Sequence, residues 1–147
     1  MLTDQQAKVK KDVLDIVQSS RFGSSRRSRF HESSFVTRIG GYAGTGKTFL
    51  IGEIRNEILK RYPRSWVAFC TFTGKASSVL GNKLESVKAI GPNDYVGTIH
   101  SLIYKAKTKY DPKLKAHVII GWSLKDFDEL TYELIIIDEA SMISKEI

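Results

Sequence analysis

The stretch GYAGTGKT, Gly41 to Thr48, decides the fold, because it fits the pattern GxxxxGK[ST]. Glycine reaches backbone angles that are closed to other residues, so successive N–H groups can turn inward around a phosphate. A helix that starts directly after such a loop adds unpaired N–H groups and partial positive charge at the same place. The stretch therefore predicts a phosphate-binding loop, in which Lys47 reaches the β- and γ-phosphates and the Thr48 hydroxyl ligates Mg²⁺.

Strand and helix patterns alternate on both sides of this loop. Residues 35–40 read as a strand that runs into the loop, and residues 48–61 as a helix with an apolar face. Two further strands are predicted at residues 66–71 and 134–137, and the second is a continuous apolar run typical of a strand buried on both faces of a parallel sheet. This alternation predicts an α/β domain.

The remaining segments give weaker local signals. Residues 3–20 and 76–84 have helical spacing, and Thr3 or Asp4 is a suitable cap for the first helix. A short helix is expected within residues 97–106, with Thr98 as its cap. Residues 105–120 are ambiguous, but Asp111-Pro112 indicates a turn that fits a hairpin.

Charge and composition restrict the function classes. The chain has 147 residues, about one domain, and its net charge of +7 fits either a polyanionic partner or a solvated basic surface. The stretch RFGSSRRSRF, residues 21–30, leaves the same choice between a solvated linker and a phosphate-contacting loop. A single cysteine, Cys70, excludes an intrachain disulfide. No apolar run resembles a signal peptide or a membrane span, so we expect a cytoplasmic protein.

A pair of acids follows the last predicted strand. Asp138 ends LIIID, at the position where phosphate-loop enzymes need a carboxylate on the Mg²⁺. Glu139 comes next and is a candidate to polarise the attacking water beside the γ-phosphate. The alternative is a pair of surface acids at a strand end.

Four segments occur in an order that resembles a known family. GYAGTGKT, FTGKASSVL, GTIHSLIY and LIIIDEASMIS look like the first motifs of superfamily 1 DNA helicases of the RecD-like and Dda-like group. Those proteins are ATP-driven motors that move 5′ to 3′ on single-stranded DNA. The resemblance implies a P-loop NTPase with a RecA-like parallel sheet flanked by helices. It also implies ATP and Mg²⁺ as cofactors, single-stranded DNA as partner, and a phage or bacterial origin.

The resemblance assigns roles residue by residue. Gln6 is the best match to the glutamine that reads the adenine edge, with Gln5 second. The other implied nucleotide contacts are Gly41, Tyr42, Ala43, Gly44, Thr45, Gly46, Lys47, Thr48 and Phe49, with Thr48 and Asp138 on the metal and Lys47 and Glu139 as catalytic groups. The implied DNA contacts are Phe72, Thr73, Gly74, Lys75, Thr98 and His100.

Two of the DNA assignments have competing interpretations. Phe72 stands where the family usually has proline, and its ring either stacks on a base or is buried in the core, with burial slightly favoured. His100 is suited to a phosphate contact or to a structural hydrogen bond.

The chain matches only the first motifs of such a helicase. We read residues 1–147 as the N-terminal part of the first RecA-like domain, with an N-terminal helix and basic loop in 1–32 and the P-loop core through the DEAS motif in 33–147. The fold is then incomplete, and a C-terminal helicase half is the expected partner. Without the arginines of that half, worth roughly 10³–10⁵ in rate, hydrolysis by this chain should be very slow. The alternative is a stand-alone nucleotide- or DNA-binding fragment without motor activity. A P-loop kinase is disfavoured because no acceptor-site motif is visible.

Overall fold

The computed structural model describes residues 2–22, 36–42, 44–126 and 131–142, without the side chains of 20–22. The chain forms two compact units, residues 1–65 with 82–93 and residues 66–81 with 94–147. Apart from the end of the first helix, the arginine-rich stretch 21–30 lies outside the described residues. No described helix has an apolar segment of the length that a bilayer crossing requires.

The first unit is built on two helices, α1 (Asp4–Phe22) and α2 (Lys47–Arg61). Thr3 caps α1 in a reciprocal arrangement with Gln6: the Gln6 N–H donates to Thr3 Oγ1 at 3.3 Å, and the Thr3 N–H donates to Gln6 Oε1 at 2.9 Å. A salt bridge of 3.3 Å joins Lys10 on α1 to Glu53 on α2. The core side chains that these helices bury are Val13, Leu14, Val17, Leu50, Ile51, Ile54 and Ile58.

The second unit contains a three-stranded parallel sheet. Its strands are β1 (Val67–Thr71), β2 (Tyr95–Thr98) and β5 (Leu134–Ile137), in the order β2-β1-β5. All five residues of β1 are buried, as expected for the central strand. Helix α3 (Gly74–Ser86) follows β1, and the short helix α4 (Ile99–Ile103) follows β2. Ala68, Cys70 and Leu102 form a buried cluster with partly buried aromatic and aliphatic neighbours.

One predicted strand is wrong, and another was missed. Residues 36–40 have no strand structure, and Val36 and Ile39 are exposed. The third strand of the sheet is β2, which pairs with β1 from Ala68↔Tyr95 to Thr71↔Thr98. A strand is stable only where a neighbour completes its hydrogen bonds and covers its apolar side chains, and β2 obtains both from β1.

The prediction that the last strand is buried on both faces is also wrong. Burial alternates along β5, and Ile135 and Ile137 are 45% and 41% exposed. In the described sheet β5 pairs with β1 on one side, through Val67↔Leu134 to Cys70↔Ile137, and forms the edge. An edge strand has less cover than the central strand, which explains the alternation.

The ambiguous segment is an antiparallel hairpin. Its strands are β3 (Tyr104–Asp111) and β4 (Ala116–Leu124), so the turn predicted at Asp111-Pro112 is confirmed. Asp111 Oδ1 accepts from the Lys113 N–H at 2.8 Å and from the Leu114 N–H at 3.3 Å, which fixes the turn.

Candidate functional site

The glycine loop has the backbone that phosphate binding requires. Gly44 and Gly46 have φ of 80° and 77°, in the left-handed region that favours glycine. A Cβ on Gly41 would lie 2.8 Å from Thr45 Oγ1, so the Thr45 side chain would have to shift to admit one. Helix α2 begins at Lys47 without a side-chain cap and without an acid in its first turn. Its first N–H groups and its dipole are therefore directed at the loop.

The Lys47 side chain turns back into this loop. Its ammonium group donates to the carbonyl oxygens of Gly41 at 2.8 Å and Tyr42 at 2.9 Å. Thr45 Oγ1 donates to the Tyr42 carbonyl at 2.8 Å and tightens the same turn. A cation is thus held among backbone oxygens, at a place where phosphate oxygens can take over as acceptors.

The other predicted contacts around the loop differ in their surroundings. Tyr42 and Phe49 have exposed rings, while Thr48 lies in the first turn of α2. Ala43 lies outside the described residues.

Gln6 contacts the loop although 39 residues separate it from Thr45 in sequence. Its Nε2 donates to the Thr45 carbonyl at 3.0 Å, while its Oε1 holds the Thr3 N–H. A Cβ on Gly46 would lie 3.0 Å from the same Nε2. The amide of Gln6 therefore joins the start of α1 to the loop. The T-x-x-Q spacing from Thr3 to Gln6 is a capping-box signal that could have predicted this pairing with Thr3.

The acid pair lies at the end of β5, in the second unit. The Asp138 N–H donates to the Cys70 carbonyl at 2.9 Å and extends the pairing with β1 by one residue. Asp138 Oδ1 accepts from the Glu139 N–H at 3.0 Å. Glu139 is exposed and has a φ of 55°, a conformation that costs roughly 1–2 kcal/mol in a residue with a Cβ. The chain thus turns sharply between the two carboxylates, and a 3-10 helix (Ala140–Met142) follows.

The end of β1 presents the predicted Thr-Gly-Lys segment. Thr73, Gly74 and Lys75 are exposed, and Thr73 Oγ1 accepts from the Ala76 N–H at 3.3 Å at the start of α3. Phe72 is 43% exposed, so the slightly favoured prediction of burial is wrong. Phe72 comes directly after the last residue of β1, and its neighbours cover its ring only in part.

The end of β2 leads into α4. The prediction of a cap at Thr98 is confirmed, because its Oγ1 accepts from the Ser101 N–H at 3.1 Å. The exposed His100 ring stacks on Tyr104, with centroids 4.6 Å apart, and meets Trp122 edge-on at 4.7 Å. These ring contacts give His100 a structural role, and a phosphate contact stays a prediction.

Burial raises the pKa of one thiol and two tyrosine hydroxyl groups in the second unit. It raises the pKa of the Cys70 thiol to about 11, so this cysteine is protonated at neutral pH and is not a nucleophile. Burial likewise raises the pKa of the hydroxyl groups of Tyr95 and Tyr132.

Parallel pairing brings three predicted segments together at the end of the sheet where the carboxyl ends of its strands lie. The carboxyl ends of β1, β2 and β5 coincide, through Thr71↔Thr98 and Cys70↔Ile137. The segments at or directly after these ends are 72–75, 98–100 and 138–139, the DNA-contact candidates and the acid pair. The loop and Gln6 are brought together in the first unit.

The glycine loop, its helix and the parallel α/β sheet define a P-loop nucleotide-binding fold. A family model described as an AAA domain matches residues 29–147. The chain therefore belongs to this AAA domain family, a P-loop type found in helicases related to UvrD, Rep and RecD. Domains of this type typically bind ATP with Mg²⁺. A comparison with curated protein sequences found no match.

Proposed function

We propose that the chain is the ATP-binding portion of a DNA helicase of superfamily 1, of the RecD-like and Dda-like group. The observation that carries the proposal is the loop itself. Two glycines have positive φ, the Lys47 ammonium lies on two loop carbonyls, and the uncapped start of α2 follows. Family membership supports the same reading. In a complete helicase, ATP hydrolysis would drive movement along single-stranded DNA.

The oxygen donors of the chain suit Mg²⁺. Mg²⁺ prefers hard oxygen ligands and is usually held by one or two protein groups together with the phosphates of the nucleotide. Thr48 offers a hydroxyl in the first turn of α2, and the Asp138 carboxylate is oriented by the Glu139 N–H at 3.0 Å. When bound, the ion would neutralise charge that develops on the phosphates. In this proposal Glu139 accepts a proton from the attacking water.

The remaining candidate residues are proposed to contact either the adenine base or the DNA. Gln6 is proposed to read the adenine edge, and its contact with the Thr45 carbonyl supports a position beside the loop. For DNA, the exposed ring of Phe72 supports stacking on a base, a contact worth about 1–3 kcal/mol. Thr73, Lys75 and Thr98 supply hydroxyl groups and a cation for backbone phosphates along the same sheet edge.

Replacing Lys47 with alanine tests the nucleotide site. A hydrogen bond to a charged group contributes about 1.5–3 kcal/mol, so ATP affinity should fall by at least roughly tenfold. Lys60→Ala is the matched control, because Lys60 is an exposed lysine in the last turn of the same helix. Calorimetric titration with ATP and Mg²⁺ measures both. Equal affinities in the two variants would contradict the nucleotide site.

Replacing Glu139 with glutamine tests the catalytic assignment. Binding of ATP should stay, while the rate of cleavage falls about 10²–10⁴-fold, the usual contribution of a general base. Because the chain alone should be slow, we would follow labelled ATP under single-turnover conditions, with and without single-stranded DNA. Unchanged cleavage would exclude Glu139 as the base. Lys47-dependent binding with no cleavage in any variant is the outcome expected of an ATP-binding portion that needs the C-terminal helicase half for catalysis.

A further inference from the structure

A buried pair of hydroxyl groups joins the end of β1 to the first turns of α3. Thr71 is the last residue of β1, Ser77 lies on α3, and both are buried. Thr71 Oγ1 and Ser77 Oγ are 2.6 Å apart, within hydrogen-bond distance. A buried hydroxyl group needs a hydrogen-bond partner, so this pair is part of what holds the strand to the helix.

Both hydroxyl groups are also directed at one backbone carbonyl. Thr71 Oγ1 lies 2.9 Å from the carbonyl oxygen of Thr73, and Ser77 Oγ lies 3.1 Å from it. The Ser77 N–H donates to the same oxygen at 3.0 Å. The two hydroxyl groups and the carbonyl therefore form a closed triangle at the link between β1 and α3.

The triangle has three edges but only two hydroxyl protons, because each hydroxyl group donates one hydrogen bond. When Thr71 donates to the carbonyl, Ser77 can donate to Thr71, and the two roles can be exchanged. Loss of one hydroxyl group therefore leaves the other able to donate to the carbonyl. Only the loss of both reduces the Thr73 carbonyl to a single donor, the N–H of residue 77.

The carbonyl that the pair holds belongs to the exposed Thr-Gly-Lys segment. Thr73 and Lys75 are exposed, although Thr71 and Ser77 on either side of them are buried. Thr73 Oγ1 accepts from the Ala76 N–H at 3.3 Å, which leaves its own proton to donate to a phosphate oxygen. The buried pair thus fixes the backbone that presents one hydroxyl donor and one cation to solvent.

We propose that Thr71 and Ser77 are positioning residues for nucleic-acid binding. Together they hold the Thr73 carbonyl so that the Thr73 hydroxyl and the Lys75 ammonium group meet the phosphate backbone of single-stranded DNA. The inference rests on the proposed function, which assigns those two exposed groups to DNA. A segment that is ordered before binding loses less conformational freedom when it binds, and this raises affinity.

The competing explanation is packing, in which the two side chains only fill space between strand and helix. Packing depends on the shape of the side chains, whereas positioning depends on their hydroxyl groups. Valine has nearly the shape of threonine without the hydroxyl group, and serine keeps the hydroxyl group without the methyl group. Replacements at Thr71 can therefore separate the two explanations.

The test compares removal of one hydroxyl group with removal of both. The single variants are Thr71→Val and Ser77→Ala, and the double variant combines them. We would measure binding of fluorescein-labelled oligothymidine to the full chain by anisotropy, and binding of ATP with Mg²⁺ by calorimetry. Each single variant should bind the oligonucleotide within about twofold of wild type, and the double variant about five- to tenfold more weakly, since two exposed side chains must then be ordered on binding. ATP affinity should not change.

Two further variants separate the hydroxyl groups from general folding. Thr71→Ser with Ser77→Ala keeps one hydroxyl group in the triangle and should bind like Ser77→Ala alone. The matched control is Ser78→Ala with Ser86→Ala, which removes two exposed hydroxyl groups of α3 that donate to carbonyls of the same helix at 3.1 and 2.7 Å. This control should bind the oligonucleotide like wild type. Amide hydrogen exchange at residue 77 should be faster in the double variant, because the turn is held by fewer bonds.

A double variant that binds the oligonucleotide like wild type would overturn the inference. Equal losses in the serine and valine combinations would assign the effect to packing and would overturn it too. So would a parallel loss of ATP affinity, which indicates general unfolding. A wild-type chain that binds ATP but no oligonucleotide would overturn the DNA-binding part of the proposed function together with this inference, and the wild type alone distinguishes that result from the others.

Discussion

The glycine loop and the β3–β4 hairpin both carry positive charge, and they differ in how they present it. The loop relies on geometry: two glycines with positive φ, the first N–H groups of α2, and a single lysine held by two carbonyls. The hairpin relies on the number of its cations, three exposed lysines on long side chains. The loop should therefore be sensitive to backbone changes, and the hairpin to charge and salt.

Salt should separate the binding of the proposed DNA partner from the binding of nucleotide most strongly. Raising monovalent salt from about 50 to 200 mM should reduce oligonucleotide affinity by about 20-fold for three phosphate contacts. Nucleotide affinity at constant Mg²⁺ should change by less than about threefold, because oriented N–H groups and a lysine fixed by the loop are screened less than exposed charges. Anisotropy and calorimetry at matched salt concentrations measure the two responses. If both affinities fell by the same factor, the expected difference in salt response would be wrong.

Glycine substitutions should have a larger effect in the loop than in the hairpin. Gly46→Ala places a Cβ at a φ of 77°, a strain of roughly 1–2 kcal/mol, so nucleotide affinity should fall about tenfold. Gly121→Ala in the hairpin is the matched control, because an added Cβ there has no atom within 4 Å and the φ is not positive. Nucleotide affinity of the Gly121 variant should stay within about twofold of wild type, since the loop is unchanged. A larger loss would mean that the effect of Gly46→Ala is not specific to the loop.

The smallest expected effect concerns the attachment of the hairpin. Thr98→Ala removes the cap of α4 and should cost about 1 kcal/mol of local stability. Amide hydrogen exchange at Ser101, whose N–H loses its acceptor, should then be faster by about fivefold. Thr98→Ser keeps the acceptor and serves as control. Equal exchange rates in both variants would show that the cap does not hold the base of the hairpin.

Short sequence patterns predicted the parts of this fold that depend on residues close together in the sequence. The loop from Gly41 to Thr48, the cap at Thr98 and the turn at Asp111 each depend on residues within a few positions of one another. The apolar face of α2 follows in the same way from helical spacing.

Pairing partners and exposure depend on the rest of the chain, and there the sequence was insufficient. The segment YVGT becomes a strand only because β1 lies beside it, 27 residues away at Ala68↔Tyr95. Residues 36–40 have a better strand pattern and no strand structure. The exposure of Phe72 and Ile135 likewise reflects which neighbours cover a strand end or an edge, and hydrophobicity alone does not report this.

The two side-chain hydrogen bonds of Gln6 have a practical consequence for labelling of the protein. They form a path from the Thr3 N–H through one side-chain amide to the carbonyl of Thr45. A fluorophore attached at Leu2 would be one residue from that path and would report loop rearrangement directly. An affinity tag fused at the same end would perturb it, so nucleotide titrations are best made with the tag at the other end or removed.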